Sequence, residues 1–307
     1  MQLQPLTLND KPMFDEYVHQ MCPRLSSYAF SSLYVWREHF QFYWTHLMGH
    51  LCIFAKQNDD YFMPILPMPY EVNSCSYLCV VHKAYRLMLK LSRNPYIARI
   101  ENVTQEMLSF FKKNGFCVTL KDTEYLYETE ALSRLSGNRY KSKRSAYNAF
   151  ATRYPSATLD PYCYTDRDAC LMLYDAWRTT RATQCSDDIY CAMLNDSRSA
   201  HQIAITYADA LGLLGRVVRI DGEIKAYTFG YPLNADTFCV LFEVADLNIR
   251  GLAQFIYREF CCELMGTYKW INAMDDSGLE SLKRVKHSYH PIQLIPLYSV
   301  VSSDRSS

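Results

Sequence analysis

Between Thr237 and Pro291 apolar runs alternate with short polar junctions in an order that reads strand, glycine turn, helix, strand, acidic turn, helix. Residues 238–245, FCVLFEVA, form an almost unbroken apolar run of strand-favouring residues, the pattern of a strand covered on both faces. Glu243 is its one charge. NIRGLA at 248–253 breaks the strand and opens a helix in which Leu252, Phe255, Ile256, Phe260 and Leu264 share one face and Arg258, Glu259 and Glu263 another. A backbone that turns at Gly251 into a helix leaves N–H groups for a phosphate or a developing oxyanion, worth about 0.3–1 kcal/mol per charge.

The same periodicities organise the rest of the chain. Helices are predicted at about 166–183 and 188–195, followed by strand-like residues 214–220 and 224–230. Asp221-Gly222 joins these two, a dipeptide suited to a two-residue hairpin turn because both central residues need positive φ. A strand at 269–273, a helix at 279–287 and a strand at 292–301 complete the order β-β-β-α-β-α-β. The first half reads likewise: strands near 51–55, 60–66 and 76–81, helix 82–93, strand 97–101, helix 104–113, strand 116–121, with helical segments at about 10–20 and 29–47 before them. The expected class is α/β with mixed sheets, as two tandem copies of one module. The first module spans 1–135, a basic linker 136–155 with a helix at 140–151, and the second 156–307. In the first, strand passes to helix through CVVHKAYR without a glycine, so chemistry is placed in the second.

Composition refines this picture. With 307 residues, 49% of them hydrophobic, the chain can fill real cores. The 25 tyrosines and 15 phenylalanines suit bulky core filling and aromatic-lined crevices alike. A formal net charge of zero excludes whole-molecule attraction to nucleic acid or anionic lipid. Locally, Arg134, Arg139, Lys141, Lys143, Arg144 and Arg153 lie between residues 131 and 159 without a single acid. The 12 cysteines come with no C-x-x-C pair and no export signal, so they read as reduced, most of them buried small hydrophobes. His46 and His50 have the i, i+4 spacing of a helix but no third ligand, and no metal is expected. No apolar run approaches the ~20 residues needed to cross a bilayer, so a soluble, cytoplasmic protein without membrane insertion is expected.

The turn Asn248-x-x-Gly251-x-Ala253 resembles the strand-to-helix turn of the GNAT acyltransferases, Arg/Gln-x-x-Gly-x-Gly/Ala, which holds a pyrophosphate; Asn248 stands where that pattern has Arg or Gln. Over nearly the whole chain, SSLYVWRE at 31–38, GNRYKSKRSAYNAF at 137–150, RIDGEIKAYTFG at 219–230 and INAMDDSGLESLKRVKHSYHP at 271–291 resemble the family named for the C-terminal domain of lysyl-phosphatidylglycerol synthase. That family is a tandem GNAT arrangement related to the Fem-type aminoacyl transferases. Lys283 stands where it tends to have arginine, and a lysine cannot make the same bidentate contact. The resemblance implies transfer of an aminoacyl group from aminoacyl-tRNA to a hydroxyl or amine. With no transmembrane portion and no polybasic surface tail in the sequence, the expected acceptor is a small soluble molecule.

Acyl transfer needs a donor held still, a group to take the acceptor proton, and hydrogen-bond donors for the tetrahedral oxyanion. Glu243 is the candidate base if desolvation raises its pKa, or an ordinary carboxylate if Arg216 or Arg219 pairs with it. Asn272 can hydrogen-bond a backbone-like amide of the substrate or merely close its strand. Asp275 and Asp276 can hold an ammonium, worth about 1.5–3 kcal/mol, or cap the following helix. Lys283 and Lys286, three apart on a helix, can project together toward substrate or stay solvated. Asn248, Gly251 and Ala253 are the candidates for phosphate or oxyanion. Arg139, Lys141, Lys143 and Arg144 are the candidates for tRNA phosphates, and six such contacts would give a log-log salt slope of about −4 to −5. No cofactor is required on this reading. The alternatives are a coenzyme A dependent N-acyltransferase with acyl-CoA as donor, and a non-catalytic binding protein that retains the fold.

Overall fold

The computed structural model describes residues 3–21, 23–69, 77–183 and 188–303, apart from the side chains of 188–191. The first run of elements is β1 (Gln4–Pro5), α1 (Lys11–Met21), α2 (Phe30–Tyr34), β2 (Gln41–Leu47), β3 (His50–Gln57), β4 (Asp60–Phe62), β5 (Met68–Pro69), α3 (Tyr77–Leu91), β6 (Ile100–Val103), α4 (Leu108–Lys113) and β7 (Phe116–Glu128). Next come α5 (Thr129–Arg134), α6 (Lys141–Arg153), β8 (Thr158–Pro161), α7 (Arg167–Thr183), α8 (Asp188–Thr206) and α9 (Ala208–Leu211). The second run closes with β9 (Leu214–Ile220), β10 (Glu223–Pro232), β11 (Thr237–Ala245), α10 (Leu252–Leu264), β12 (Trp270–Asn272), α11 (Glu280–His287) and β13 (Gln293–Ser302). From β9 onward the order is the predicted β-β-β-α-β-α-β, and β2-β3-β4-α3-β6-α4-β7 repeats it with β5 inserted.

These elements form two compact units, one of Met1–Glu124, Asp275–Gly278 and Leu294–Ser307, the other of Tyr125–Met274 and Leu279–Gln293. The division falls inside β7 rather than in a linker at 136–155, and α6 belongs wholly to the second unit. Each run also surrenders its last strand. β13 pairs antiparallel with β6 in the first unit, while Leu126–Glu128 of β7 pair antiparallel with β12 in the second. The burial of β7 explains the split, because exposed positions dominate from Cys117 to Leu120 and Glu124–Tyr127 are buried without interruption.

In the first unit β1 to β4 form an antiparallel meander, with β5 on β3. Two expectations fail here. Residues 29–47 are not one helix: α2 ends at Tyr34, and QFYWTHL, rich in aromatic and β-branched side chains, is β2. Met48 and Gly49, both at positive φ, turn β2 into β3, so His46 faces Leu51 and His50 faces Leu47 across a hairpin instead of sharing a helix face. Residues 77–81 are helix, not strand, because Val80, Val81, Ala84, Tyr85 and Met88 bury one stripe of α3; residue 76 lies outside the described residues.

The second unit holds the arrangement that matters for chemistry. Its strands run in the order β8, β9, β10, β11, β12 and the end of β7, antiparallel except for the parallel pair β11–β12. Along β10 and β11 the register passes from Phe229↔Phe242 to Gly230↔Val240, which leaves Leu241 as a bulge. Gly230 is required beside it, because a Cβ there would stand 2.4 Å from the Cys239 carbonyl oxygen. The extra residue reverses which side chains face α10. Before it, Phe238 and Val240 pack with Tyr257, Phe260 and Cys261; after it, Ala245 packs with Leu252, Phe255 and Ile256. Period-2 alternation then aims Glu243 at α10 and Phe242 at the opposite face. Without the bulge the glutamate would point the other way.

Candidate active site

The parallel pairing of β11 with β12 covers only Thr237↔Trp270, Phe238↔Ile271 and Cys239↔Asn272. β12 ends there while β11 continues to Ala245, so the two strands part, and a cavity of about 360 Å³ opens at the gap. Its walls are Val240–Val244 of β11, Ala253, Gln254 and Tyr257 of α10, Lys286 and Tyr289 in and after α11, and, from the other face, Trp177 of α7 and His201 of α8. Most of this lining is apolar, as in small-molecule sites generally.

Glu243 is the exception that defines the site. Its Oε2 is fully buried and has no hydrogen-bond partner among the described residues. The arginines that would neutralise it are engaged elsewhere, Arg216 with Glu263 and Arg219 with Asp160 and Asp166. Desolvation alone pushes its carboxyl up to about 8. The proximity is mutual, since burial first and the Glu243 charge after it hold the Cys261 and Tyr289 side chains above their ordinary pKa, and the same charge adds to burial and three nearer groups at Tyr257.

His201 was not among the sequence candidates. It sits in α8 with its imidazole stacked on Phe242 (centroids 3.9 Å apart) and against Tyr174 (4.3 Å), with Nδ1 2.8 Å from the Tyr227 hydroxyl. Burial pushes its pKa down to about 3, so the ring is neutral at physiological pH. A signal existed in SAHQIAI, a polar residue on an otherwise apolar helix face, but the predicted helix stopped at 195.

Of the predicted site residues, the structure brings Glu243, Lys286 and Ala253 to the cavity wall. The Lys286 ammonium donates to the Ala273 carbonyl (2.6 Å) and ties α11 to the end of β12. Lys283 is exposed, with its ammonium 3.5 Å from Glu280, and does not line the cavity. Asn272 is fully buried; its Oδ1 accepts the Met274 N–H (2.7 Å) and supports that residue at φ 60°, so it shapes the end of β12. Asp275 accepts the Ser277 N–H (2.9 Å) and Asp276 the Gly278 N–H (3.1 Å), so both carboxylates brace the turn before α11 and neither lines the cavity.

The glycine turn has another purpose than the one its sequence suggests. Gly251 has φ 89°, and a Cβ on it would lie 2.3 Å from the Ala146 carbonyl oxygen and 2.9 Å from Phe150 Cβ, both on α6. The Leu252 N–H is taken by the Ile249 carbonyl (3.3 Å), and Asn248 is exposed, its main-chain and side-chain N–H groups donating to Asp246 Oδ1. Close helix packing, rather than a phosphate, accounts for the glycine. The linker cations are also partly spent: Arg144 donates to the Leu135 and Gly137 carbonyls at the end of α5, Arg134 pairs with Glu130, and Lys143 lies 4.2 Å over the Tyr289 ring with its pKa lowered by desolvation. Arg139 sits over Tyr140 and Lys141 is exposed.

Two runs of one strand-helix order, the later with a bulged central strand diverging from its parallel neighbour over a cavity, define a tandem GNAT-like acyltransferase fold. The chain belongs to the family described as Phosphatidylglycerol lysyltransferase, C-terminal, which matches residues 20–301. A conserved protein of unknown function from Bacteroides thetaiotaomicron VPI-5482 is similar with 24% identity and a TM-score of 0.87, covering 98% of this chain and 99% of that one. L-PGS from Bacillus licheniformis is similar with 14% identity and a TM-score of 0.64, covering 97% and 93%. A tandem GNAT protein from the clavulanic acid biosynthesis pathway has 11% identity and a TM-score of 0.51, covering 100% and 99%. No curated protein matches the chain. Among the described residues no helix is long and apolar enough to cross a membrane.

Proposed function

We propose that the cavity between β11 and β12 carries transfer of an aminoacyl group from aminoacyl-tRNA to a small acceptor amine or hydroxyl, with Glu243 as the base. The observation that carries this reading is the buried, unpartnered Oε2 of Glu243 at the cavity wall. A buried carboxyl without a partner is expensive to keep; Oε2 is enclosed, and Oε1 is the oxygen left open to an acceptor N–H or O–H entering the cavity. The acceptor lone pair attacks the ester carbonyl carbon, its proton passes to Glu243, and the carbonyl π pair moves onto oxygen. Collapse of that oxyanion breaks the ester C–O bond, and the ribose oxygen leaves with the proton Glu243 received. A base whose pKa is about 8 is well matched to this exchange near neutral pH, and apolar walls limit competing hydrolysis.

A volume of about 360 Å³ suits an aminoacyl group together with the reacting end of a small acceptor. α6 packed on Gly251 favours this donor over acyl-CoA. Arg139 and Lys141 are the linker cations on which tRNA phosphates would bear. The family's name supports aminoacyl chemistry, and the small acceptor is our extension of it. The test is loss of label from a pool of tRNA charged with radioactive amino acids, with a dialysable cell extract as the source of acceptors. Loss that depends on Glu243 and climbs with pH through about 8 is expected. Loss no faster than spontaneous hydrolysis at every pH from 6 to 9 overturns the reading.

A further inference from the structure

Among the polar groups that reach the cavity, His201 is held far more tightly than packing alone requires. Phe242 stacks on its ring at 3.9 Å and Tyr174 lies tilted against the ring at 4.3 Å, and the two fix its plane. The Tyr227 hydroxyl at 2.8 Å fixes its rotation. That hydroxyl has no other partner among the described residues, and it is fully buried. A phenol that accepted a hydrogen bond from Nδ1–H would leave its own O–H unsatisfied in the core, at a substantial cost, so it donates to Nδ1 instead. The ring proton is then on Nε2. This nitrogen makes no hydrogen bond within the described residues and is not among the fully enclosed unpartnered atoms, while His201 lines the cavity.

We infer that His201 is a catalytic residue whose neutral Nε2–H donates a hydrogen bond to the carbonyl oxygen of the acyl donor and stabilises the oxyanion formed when the acceptor attacks. This rests on the acyl-transfer reading above and deepens it. Phe242 and Glu243 point to opposite faces of β11, so His201 stands across the strand from the proposed base, and a carbonyl lying in the gap would meet the donor on one side and the base on the other. No proton is transferred by the imidazole; the π pair that moves to oxygen is held by its N–H. A neutral imidazole suits the task because it keeps its proton while donating, and the two aromatic neighbours and the tyrosine remove the need to reorganise during reaction.

Two readouts test this, and they fail separately. The first is activity-independent: ring ¹⁵N resonances of His201 at pH 7, assigned by comparison with His201→Gln. A neutral ring protonated at Nε2 is expected, and an imidazolium or a proton on Nδ1 overturns the inference. The second is the rate of aminoacyl loss from charged tRNA. His201→Phe, which keeps a ring between Phe242 and Tyr174, should lower kcat/KM by about 10²–10³ with little change in KM, and His201→Gln, which keeps an N–H donor, should recover most of that loss. A His201→Phe variant that turns over at the wild-type rate overturns the inference while leaving the transferase reading intact. Should wild-type protein show no turnover at all, the transferase reading falls and takes the catalytic role with it, whatever tautomer the resonances report.

Discussion

Replacing Glu243 with glutamine removes a titrating group whose burial is uncompensated, and the consequence for stability can be worked out from its pKa. In the unfolded chain this carboxyl titrates near its ordinary 4.5; in the folded protein it titrates at about 8. Below 4.5 both states hold the proton and the site contributes no pH dependence. Between 4.5 and 8 the unfolded chain gives the proton up while the folded protein keeps it, so the wild type loses stability at about 1.4 kcal/mol per pH unit. The full loss approaches about 5 kcal/mol above pH 8, less whatever water in the cavity recovers. Glu243→Gln has no such slope. Denaturant midpoints for both proteins at pH 5, 6, 7, 8 and 9 give the difference directly, since every other titrating group cancels between them. The variant should gain on the wild type steadily from pH 5 to 8 and hold its advantage at pH 9. A difference that stays flat within about 0.5 kcal/mol across that range would refute the reasoning, because the carboxylate would then have a partner or free access to water.

Further outcomes follow from the same geometry. Gly251→Ala should destabilise by about 2–5 kcal/mol, combining a left-handed backbone with overpacking against Ala146 and Phe150, whereas Gly222→Ala, also at positive φ in the turn between β9 and β10 but with open space around it, should lose only about 1–2 kcal/mol; denaturant unfolding distinguishes them. Arg144→Ala should lose about 1–3 kcal/mol by uncapping Leu135 and Gly137. The same substitution should leave the salt slope of tRNA retention on filters unchanged, and a slope reduced by about one would return Arg144 to the phosphate contacts. Turnover, corrected with Glu243→Gln as background, should rise about tenfold per pH unit up to about 8 and then level off; a rate independent of pH would exclude Glu243 as the base.

The order of elements was legible because apolar runs and their periodicities are local: FCVLFEVA announces a buried strand, and the helix after Gly251 shows its stripe. QFYWTHL is legible too, because its aromatic side chains favour a strand over a helix running to residue 47. What no local pattern carries is partnership. β13 and the end of β7 look the same whichever run they close, so their exchange between units leaves no trace in the sequence. The bulge at Leu241 depends on how closely Gly230 and Cys239 approach, and it decides which face Glu243 takes. Likewise Gly251 reads as an anion-binding turn until α6 is seen against it, and Asn272, Asp275 and Asp276 read as ligands until their hydrogen bonds to the following turn are drawn. Glu243 stands out in the sequence as the charge in an apolar strand, but whether an arginine neutralises it is decided only by where Arg216 and Arg219 go.

The most direct test is a crystal structure of the protein bound to an amide-linked analogue of an aminoacylated 3′-terminal adenosine. The amide should lie in the gap beyond Cys239 and Asn272, its carbonyl oxygen accepting from His201 Nε2–H on one side and its N–H within reach of the Glu243 carboxylate on the other. An aminoacyl moiety seated elsewhere, with side chains filling that gap, would contradict it.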